Sequence, residues 1–228
     1  KNQEGEIIEI LGNEHEAGID ILSVLKEYDI PMEFSADVEK QAEQLTAKIT
    51  DIELEKRRDL RDEIIFTIDG DDAKDYDDAV SIHQKDNGHF VLGVHIADVS
   101  HYVKQGDAID QSALERGTSV YVIDRVVPML PFNLSNDVCS LVPDKDRLTF
   151  SCEMEIDGNG KVVDYSIFKS VICSKSRMTY GLVADLLEGD GSHPNRLQPF
   201  KKELIMMNEL HEILRVKRRL NRGAINFD

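Results

Sequence analysis

Two hairpin signals constrain the fold of this chain more than any other feature of its sequence. The dipeptide Asn87-Gly88 separates the runs AVSIH and HFVLGVHIADV, and the segment DGNG at 157–160 separates LTFSCEMEI from KVVDYSIFKSVI. Asn-Gly and Asp-Gly favour the tight turns that join neighbouring antiparallel strands, and the flanking runs are rich in apolar and β-branched residues. The middle of the chain is therefore predicted to form a mixed, largely antiparallel sheet.

Helical spacing of apolar residues, together with capping residues, predicts helices on both sides of these strands. The predicted helices span residues 19–28, 35–47, 108–116, 180–187 and 200–222, with a further one starting at 133. Shorter extended pieces are predicted at 64–68, 119–124 and 125–130. Because strands and helices do not alternate regularly, the predicted fold class is α+β, with a sheet flanked by helices.

Two segments within the first 63 residues suggest how the chain is organised. Residues 4–11, EGEIIEIL, alternate enough to predict one strand, and one strand needs a partner, so we expect it to be the last piece of a preceding β domain. The run from Asp51 to Glu63 is mostly charged and too polar for a core. We therefore expect a domain boundary in this run.

Composition excludes several classes of protein. The 27 Lys and Arg against 44 Asp and Glu give a formal net charge of −17, which argues against nucleic-acid binding by general phosphate neutralisation. The three cysteines, Cys139, Cys152 and Cys173, form no C-x-x-C pair, so neither a disulfide framework nor a zinc knuckle is indicated. No apolar run approaches the about 18 residues of a membrane span. These features predict a cytoplasmic protein that does not cross a membrane.

The segment TIDGDDAKDYDDA at 67–79 is the strongest candidate for a functional site, because it holds six aspartates within ten residues. Carboxylates that converge repel one another, so such a loop either extends into solvent or holds a cation. Oxygen ligands without His or Cys favour Mg²⁺ or Mn²⁺ over zinc, and Ca²⁺ also fits the ligand type. The spacing does not match an EF-hand. Asp69 ends one apolar strand and Asp78 opens the next, so both are anchored.

A second group of potential metal ligands is His95, Asp98 and His101, in the pattern H-x₂-D-x₂-H. Residues 95 and 98 differ by an odd number and would project to opposite faces of a regular strand. We therefore predict a structural role for these residues in the sheet, with Asp98 supporting the neighbouring loop, and no zinc site.

Several long motifs occur in an order that resembles the ribonuclease II/ribonuclease R (RNB) family, and within it the bacterial ribonuclease R branch. They are RRDLRDE, TIDGDDAKDYDDAV, GVHIADVSHYV, ERGTSVYVIDRVVPMLP and LSNDVCSLVPDKDRLTFSCEM. The resemblance implies that residues 1–12 are the end of a cold-shock, OB-type domain and that residues 13–56 are a helical connector. It also implies that residues 57–228 are the N-terminal part of the RNB catalytic domain.

The same resemblance implies a processive 3′→5′ exoribonuclease that degrades single-stranded RNA to nucleoside 5′-monophosphates with bound Mg²⁺. The resemblance implies that Asp69, Asp75 and Asp78 are ligands of the metal or of its water. It also implies that Asp77 is the residue on which the chemical step most depends. Tyr121 matches an aromatic residue that lies against bases near the 3′ end in this family, and Tyr180 resembles a second tyrosine near the substrate.

The resemblance also implies that parts of the family's catalytic domain and its other RNA-binding domains lie outside this sequence. We therefore expect the 228-residue chain by itself to have little or no nuclease activity. A non-catalytic acidic module that binds Ca²⁺ or another protein is the alternative, and it predicts metal binding without RNA cleavage. The sequence does not determine the oligomeric state.

Overall fold

The computed structural model describes residues 5–13, 15–188 and 195–222. The helices are α1 (Ile19–Glu27), α2 (Ala36–Gln44), α3 (Asp51–Leu54), α4 (Val99–Tyr102), α5 (Ala108–Arg116), α6 (Tyr180–Glu188) and α7 (Lys201–Arg222). The strands are β1 (Arg58–Asp59), β2 (Phe66–Asp69), β3 (Asp78–Gln84), β4 (Phe90–Ala97), β5 (Val120–Tyr121), β6 (Val126–Val127), β7 (Asp146–Ile156), β8 (Val162–Cys173) and β9 (Ser176–Thr179). A π-helical turn spans Leu134–Val138 and a 3₁₀ helix spans Asn195–Phe200.

The chain divides into two units, each built from two separate stretches of sequence. The first unit comprises Lys1–Leu45 with Val103–Asn133, and the second comprises Thr46–Tyr102 with Leu134–Asp228. Within the described residues, no helix is both long and apolar enough to pass through a lipid bilayer.

The first unit contains α1, α2, α5 and the short hairpin β5–β6, and its three helices were predicted from the sequence. Ser35 caps α2 by accepting a hydrogen bond from the backbone N–H of Val38, and α2 then ends at Gln44, three residues before the predicted end. Gln41 Nε2 donates to Asp107 Oδ2 at 2.6 Å, which ties α2 to the residue that caps α5. These polar contacts join the two sequence stretches of the unit.

The strand predicted at 4–11 is wrong for the described residues of that segment. Residues 5–11 have no regular secondary structure, and the side chains of Ile7, Ile8 and Ile10 are each more than 80% exposed. A strand is stabilised by hydrogen bonds to a neighbouring strand, and this segment has none within the described chain. Alternation of apolar residues alone does not supply that partner.

The second unit contains a seven-stranded sheet in the order β1-β8-β7-β4-β3-β2-β9. Its inner pairs are antiparallel, and only the outer pairs β1–β8 and β2–β9 are parallel. Both predicted hairpins are present, with Gln84 opposite Phe90 and Ile156 opposite Val162. The predicted α+β class, with a largely antiparallel sheet flanked by helices, is confirmed.

The helices α6 and α7 bury one side of this sheet. Phe66, Met178, Leu186 and Leu204 belong to one cluster of buried apolar side chains, which joins β2 and β9 to α6 and α7. A second cluster joins β3, β4 and β7 to the middle of α7 through Leu210. Burial of such side chains is the main source of stability for this part of the fold.

The charged run from Asp51 to Glu63 was predicted to be too polar for a core, and the structure corrects this. Arg57 and Leu60 are both buried, and β1, which lies between them, pairs with β8. The guanidinium of Arg57 donates to Asp98 Oδ2 at 2.6 Å, and neither side chain is exposed to solvent. A buried charge is tolerated where it is paired and hydrogen-bonded, which the sequence pattern does not reveal.

Candidate active site

The aspartate-rich loop lies at one edge of the seven-stranded sheet. Because β2 ends at Asp69 and the antiparallel strand β3 begins at Asp78, both residues lie at the same edge. β9 runs parallel to β2 with Thr179 beside Asp69, so Tyr180, the next residue, follows at that edge. The ends of three strands therefore meet around one acidic segment.

Tyr76 fixes the middle of the loop. Its side chain is buried, its backbone N–H donates to Ser140 Oγ at 3.1 Å, and its carbonyl accepts from the backbone N–H of Leu141 at 2.8 Å. These two bonds attach the loop to the segment that follows the π-helical turn. They hold the backbone between Asp75 and Asp77, the two residues that flank Tyr76.

Arg177, in β9, holds the first part of the loop. Its Nη2 donates to the carbonyl of Asp71 at 2.6 Å, and its guanidinium lies 5.3 Å from the ring centroid of Tyr76. This arginine was not predicted from the sequence to be part of the site. Its only sequence signal is its position three residues before Tyr180, in the motif RMTY.

The aspartates of the loop interact through their charges. Burial raises the pKa of Asp69, the nearby Thr67 hydroxyl lowers it, the charges of Asp78 and Asp75 raise it, and the charge of Arg177 lowers it. Partial burial and the charges of the other three aspartates also raise the pKa of Asp77. Because the Asp77 side chain is exposed overall, we attribute this second shift more to charge repulsion than to burial. A cation among these residues would relieve that repulsion.

The loop fits a hard divalent cation in donor type and in charge. Asp69 Oδ2 is buried and has no hydrogen-bond partner, so it can accept a bond from a ligand. Mg²⁺ and Mn²⁺ prefer oxygen ligands of this kind. In the described ranges, however, no three His, Cys, Asp or Glu side chains form one coordinating group. The assignment of Asp69, Asp75 and Asp78 as metal ligands therefore stays a prediction.

Comparison with known proteins places the chain in a family. The model of the RNB domain matches residues 57–228, which is most of the sequence. The chain belongs to the RNB family. A model of the cold shock domain also matches, over residues 1–35. The resemblance stated from the sequence motifs is confirmed at the level of the family.

Individual relatives of this RNB chain are ribonucleases R. The chain is 52% identical to ribonuclease R of Thermotoga maritima, over 99% of this chain and 32% of the relative. It is 50% identical to ribonuclease R 2 of Lactococcus lactis, over 100% of this chain and 35% of the relative. A solved structure of Mycoplasma genitalium RNase R with ribose-methylated single-stranded RNA matches with a TM-score of 0.87 and 33% identity, over 95% of this chain and 33% of the other. The chain thus spans about a third of these proteins.

The two candidate RNA-binding tyrosines of the RNB chain lie in different units. Tyr180 begins α6 at the edge that carries Asp69, and 66% of its surface is exposed. Tyr121 is in β5 of the first unit, and 68% of its surface is exposed. Each tyrosine presents a large aromatic surface of the kind on which bases stack. Their contacts with RNA stay predictions.

His95 and Asp98, which form part of the H-x₂-D-x₂-H pattern, have structural partners in this RNB fold. The imidazole of His95 is buried and lies 2.7 Å from Ser151 Oγ and 3.1 Å from Ser81 Oγ. Asp98 pairs with Arg57. Ser151 Oγ and Ser170 Oγ lie 2.5 Å apart, and Arg57 Nη1 donates to the carbonyl of Ser170 at 3.4 Å, so both residues belong to one polar network across the sheet.

Proposed function

We propose that this chain belongs to a metal-dependent exoribonuclease that hydrolyses RNA processively in the 3′→5′ direction and releases nucleoside 5′-monophosphates. The main support is a cluster of four electrostatically coupled aspartates at one sheet edge, in an RNB chain whose relatives are named ribonuclease R. Such a cluster suits cleavage of a phosphodiester, because that reaction needs a local positive ion next to an anionic substrate.

Asp69, Asp75 and Asp78 would hold Mg²⁺ or Mn²⁺. When bound, such an ion supplies hydroxide at neutral pH and offsets the negative charge of the phosphate. Asp77 would orient the attacking water by accepting a hydrogen bond from it. Its backbone carbonyl accepts a bond from the N–H of Ala97 at 3.0 Å, which fixes the residue against the end of β4. The exposed carboxylate is thus held on a rigid strand end.

The RNA partner would be single-stranded, and Tyr121 and Tyr180 would stack against its bases. Stacking does not depend on base identity, which suits an enzyme that degrades RNA of any sequence. The Mycoplasma genitalium relative was solved with ribose-methylated single-stranded RNA and also with double-stranded RNA, which supports RNA as the partner. Three free cysteines support a reducing compartment, and we assign the protein to the cytoplasm.

Three domains follow from this proposal. Residues 1–12 would end a cold-shock, OB-type domain, 13–56 would connect it, and 57–228 would form the N-terminal part of the catalytic domain. Because the relatives are about three times as long as this chain, we expect the 228 residues alone to have little or no nuclease activity. Phosphate positioning and metal binding must act together in catalysis.

The test replaces Asp77 with Asn in the protein encoded by the complete reading frame. Asp77→Asn removes one negative charge with almost no change in shape, so we expect RNA degradation to fall by about 100-fold or more. RNA affinity, measured by fluorescence anisotropy, should change little. Degradation is measured as release of mononucleotides from a labelled single strand.

Asp72→Asn is the matched control, since Asp72 is exposed in the same loop and is outside the four coupled aspartates. It should keep nearly full activity. Turnover within about threefold of wild type for Asp77→Asn would contradict the role of Asp77. Metal and RNA binding without cleavage in the unmodified protein would instead favour the non-catalytic acidic module.

A further inference from the structure

A cavity of about 360 Å³ lies in the second unit, between the segment that follows β1 and the sheet strands β3, β4 and β7. None of the four aspartates of the candidate active site lines it. Its volume falls in the range of small-ligand sites and far exceeds the about 30 Å³ that one water molecule occupies. The cavity is therefore large enough for a small organic molecule.

Glu203, in the first turn of α7, is the feature of this cavity that points to a ligand. Only 8% of its surface is exposed, and its Oε2 is buried with no hydrogen-bond partner. No ion pair among the described residues includes it. A buried carboxyl oxygen without a partner costs free energy, and a donor group in the cavity would recover it.

Ser81, His95 and Gly93 also line the cavity, and the missing side chain of Gly93 makes room for the other two. Ser81 Oγ and His95 Nε2 lie 3.1 Å apart there. A Cβ atom on Gly93 would lie 2.2 Å from Ser81 Oγ and 2.9 Å from His95 Nε2, so a larger residue would displace this pair. Burial lowers the pKa of His95 to about 4, which leaves its ring uncharged at neutral pH.

The charges of the lining side chains favour a cationic ligand. Glu63, Glu153 and Glu203 line the cavity, and none of its described lining residues is Lys or Arg. Glu153 is paired with Arg58 at 2.7 Å. The carboxyl of Glu203, in contrast, is buried and has an oxygen without a hydrogen-bond partner. Leu60, Ile64 and Val91 supply an apolar part of the wall.

A metal ion does not suit this site as well as an organic cation does. No three His, Cys, Asp or Glu side chains in the described part of the chain form a coordinating group, and the space is much larger than an ion needs. An aliphatic amine combines an ammonium group for Glu203 with methylene groups for the apolar wall. We propose that this cavity is a binding site for a small aliphatic diamine or polyamine, with Glu203 as the anchor of one ammonium group.

The test is isothermal titration calorimetry of the 228-residue chain with 1,4-diaminobutane as the probe. We expect saturable binding of one molecule, and about tenfold weaker binding for Glu203→Gln, because a charge-assisted hydrogen bond is lost. The neutral analogue 1,4-butanediol should bind at least about tenfold more weakly than the diamine. Equal binding of the two compounds would overturn the proposal.

Glu209→Gln is the matched control, since it removes the same charge from an exposed position of the same helix. It should leave the affinity for the diamine within about twofold of wild type. If both substitutions weaken diamine binding equally, the attraction is nonspecific and comes from an acidic protein. If the titration gives no saturable heat, the cavity holds water only. Either result overturns the proposal.

A measurement on the unmodified chain keeps the proposal testable if Glu203→Gln does not fold. In a two-dimensional amide NMR titration, the diamine should shift the signals of Gly93 and Glu203 with one common saturation curve. The signal of Glu209 should stay unchanged. Shifts confined to exposed acidic residues would contradict binding in the cavity.

Discussion

The ion pair between Arg57 and Asp98 gives the sharpest prediction about stability. Both side chains are fully buried and their charged atoms lie 2.6 Å apart. Removing one partner of such a pair typically costs about 3–5 kcal/mol, because the other charge stays buried without compensation. In Asp98→Ala, Arg57 keeps a bond to Glu53 Oε1 at 2.7 Å. We therefore expect the lower end of that range, about 3 kcal/mol.

This loss can be measured as a change in the urea midpoint of unfolding. The chain has no tryptophan, so far-UV circular dichroism is the suitable signal. With a urea dependence of about 2–3 kcal/mol per molar, the midpoint for Asp98→Ala should fall by about 1–1.5 M. The slope of the transition should not change.

Asp59→Ala is the control, because Asp59 pairs with Arg61 at the same 2.6 Å but the two side chains are 54% and 35% exposed. Exposed pairs contribute about 0–1 kcal/mol, so this midpoint should fall by less than about 0.5 M. If both substitutions lower the midpoint equally, then burial is not what makes the Arg57–Asp98 pair important. The reasoning would then be refuted.

Two further predictions concern buried side chains of the second unit. Burial lowers the pKa of His95 to about 4, below its usual value of about 6.5, so the unfolded chain binds the proton first as pH falls. Uncharged His95 then contributes up to about 3 kcal/mol to the free energy of unfolding above about pH 6.5, and this contribution is lost as the pH falls toward 4. In urea unfolding at a series of pH values, His95→Asn should flatten this pH dependence. Leu204 is 1% exposed, and Leu204→Ala should lower the free energy of unfolding by about 2–5 kcal/mol. The neighbour Ile205 is 40% exposed, and Ile205→Ala should cost less than about 1 kcal/mol by the same measurement; equal losses would place the core elsewhere.

Features whose partners are close in sequence could be predicted. Both hairpins follow from their turn residues, and Gly88 and Gly160 have positive φ angles of 82° and 72°, as such turns require. The helix α7 follows from apolar spacing, and both α5 and α7 end at the predicted residues. Local sequence determines these elements because the hydrogen bonds that close them are local.

Features whose partners are distant in sequence could not be predicted. β9 is only four residues long, and it forms because β2, more than a hundred residues earlier, lies beside it. Arg57 lies in a run that resembles a solvent-exposed segment, and its burial depends on Asp98. The aspartates of the loop could be singled out by their density, whereas Arg177 and Ser140 have no local pattern that marks them.

The parallel pairing of β2 with β9 has a consequence for synthesis of the protein. Thr179 lies beside Asp69, so the acidic edge reaches its final form only after a further 110 residues have been translated. At the usual 5–20 residues per second this takes about 5–20 s, during which Arg177 cannot hold the loop. The acidic segment thus stays without its β9 partner while the intervening residues are being translated.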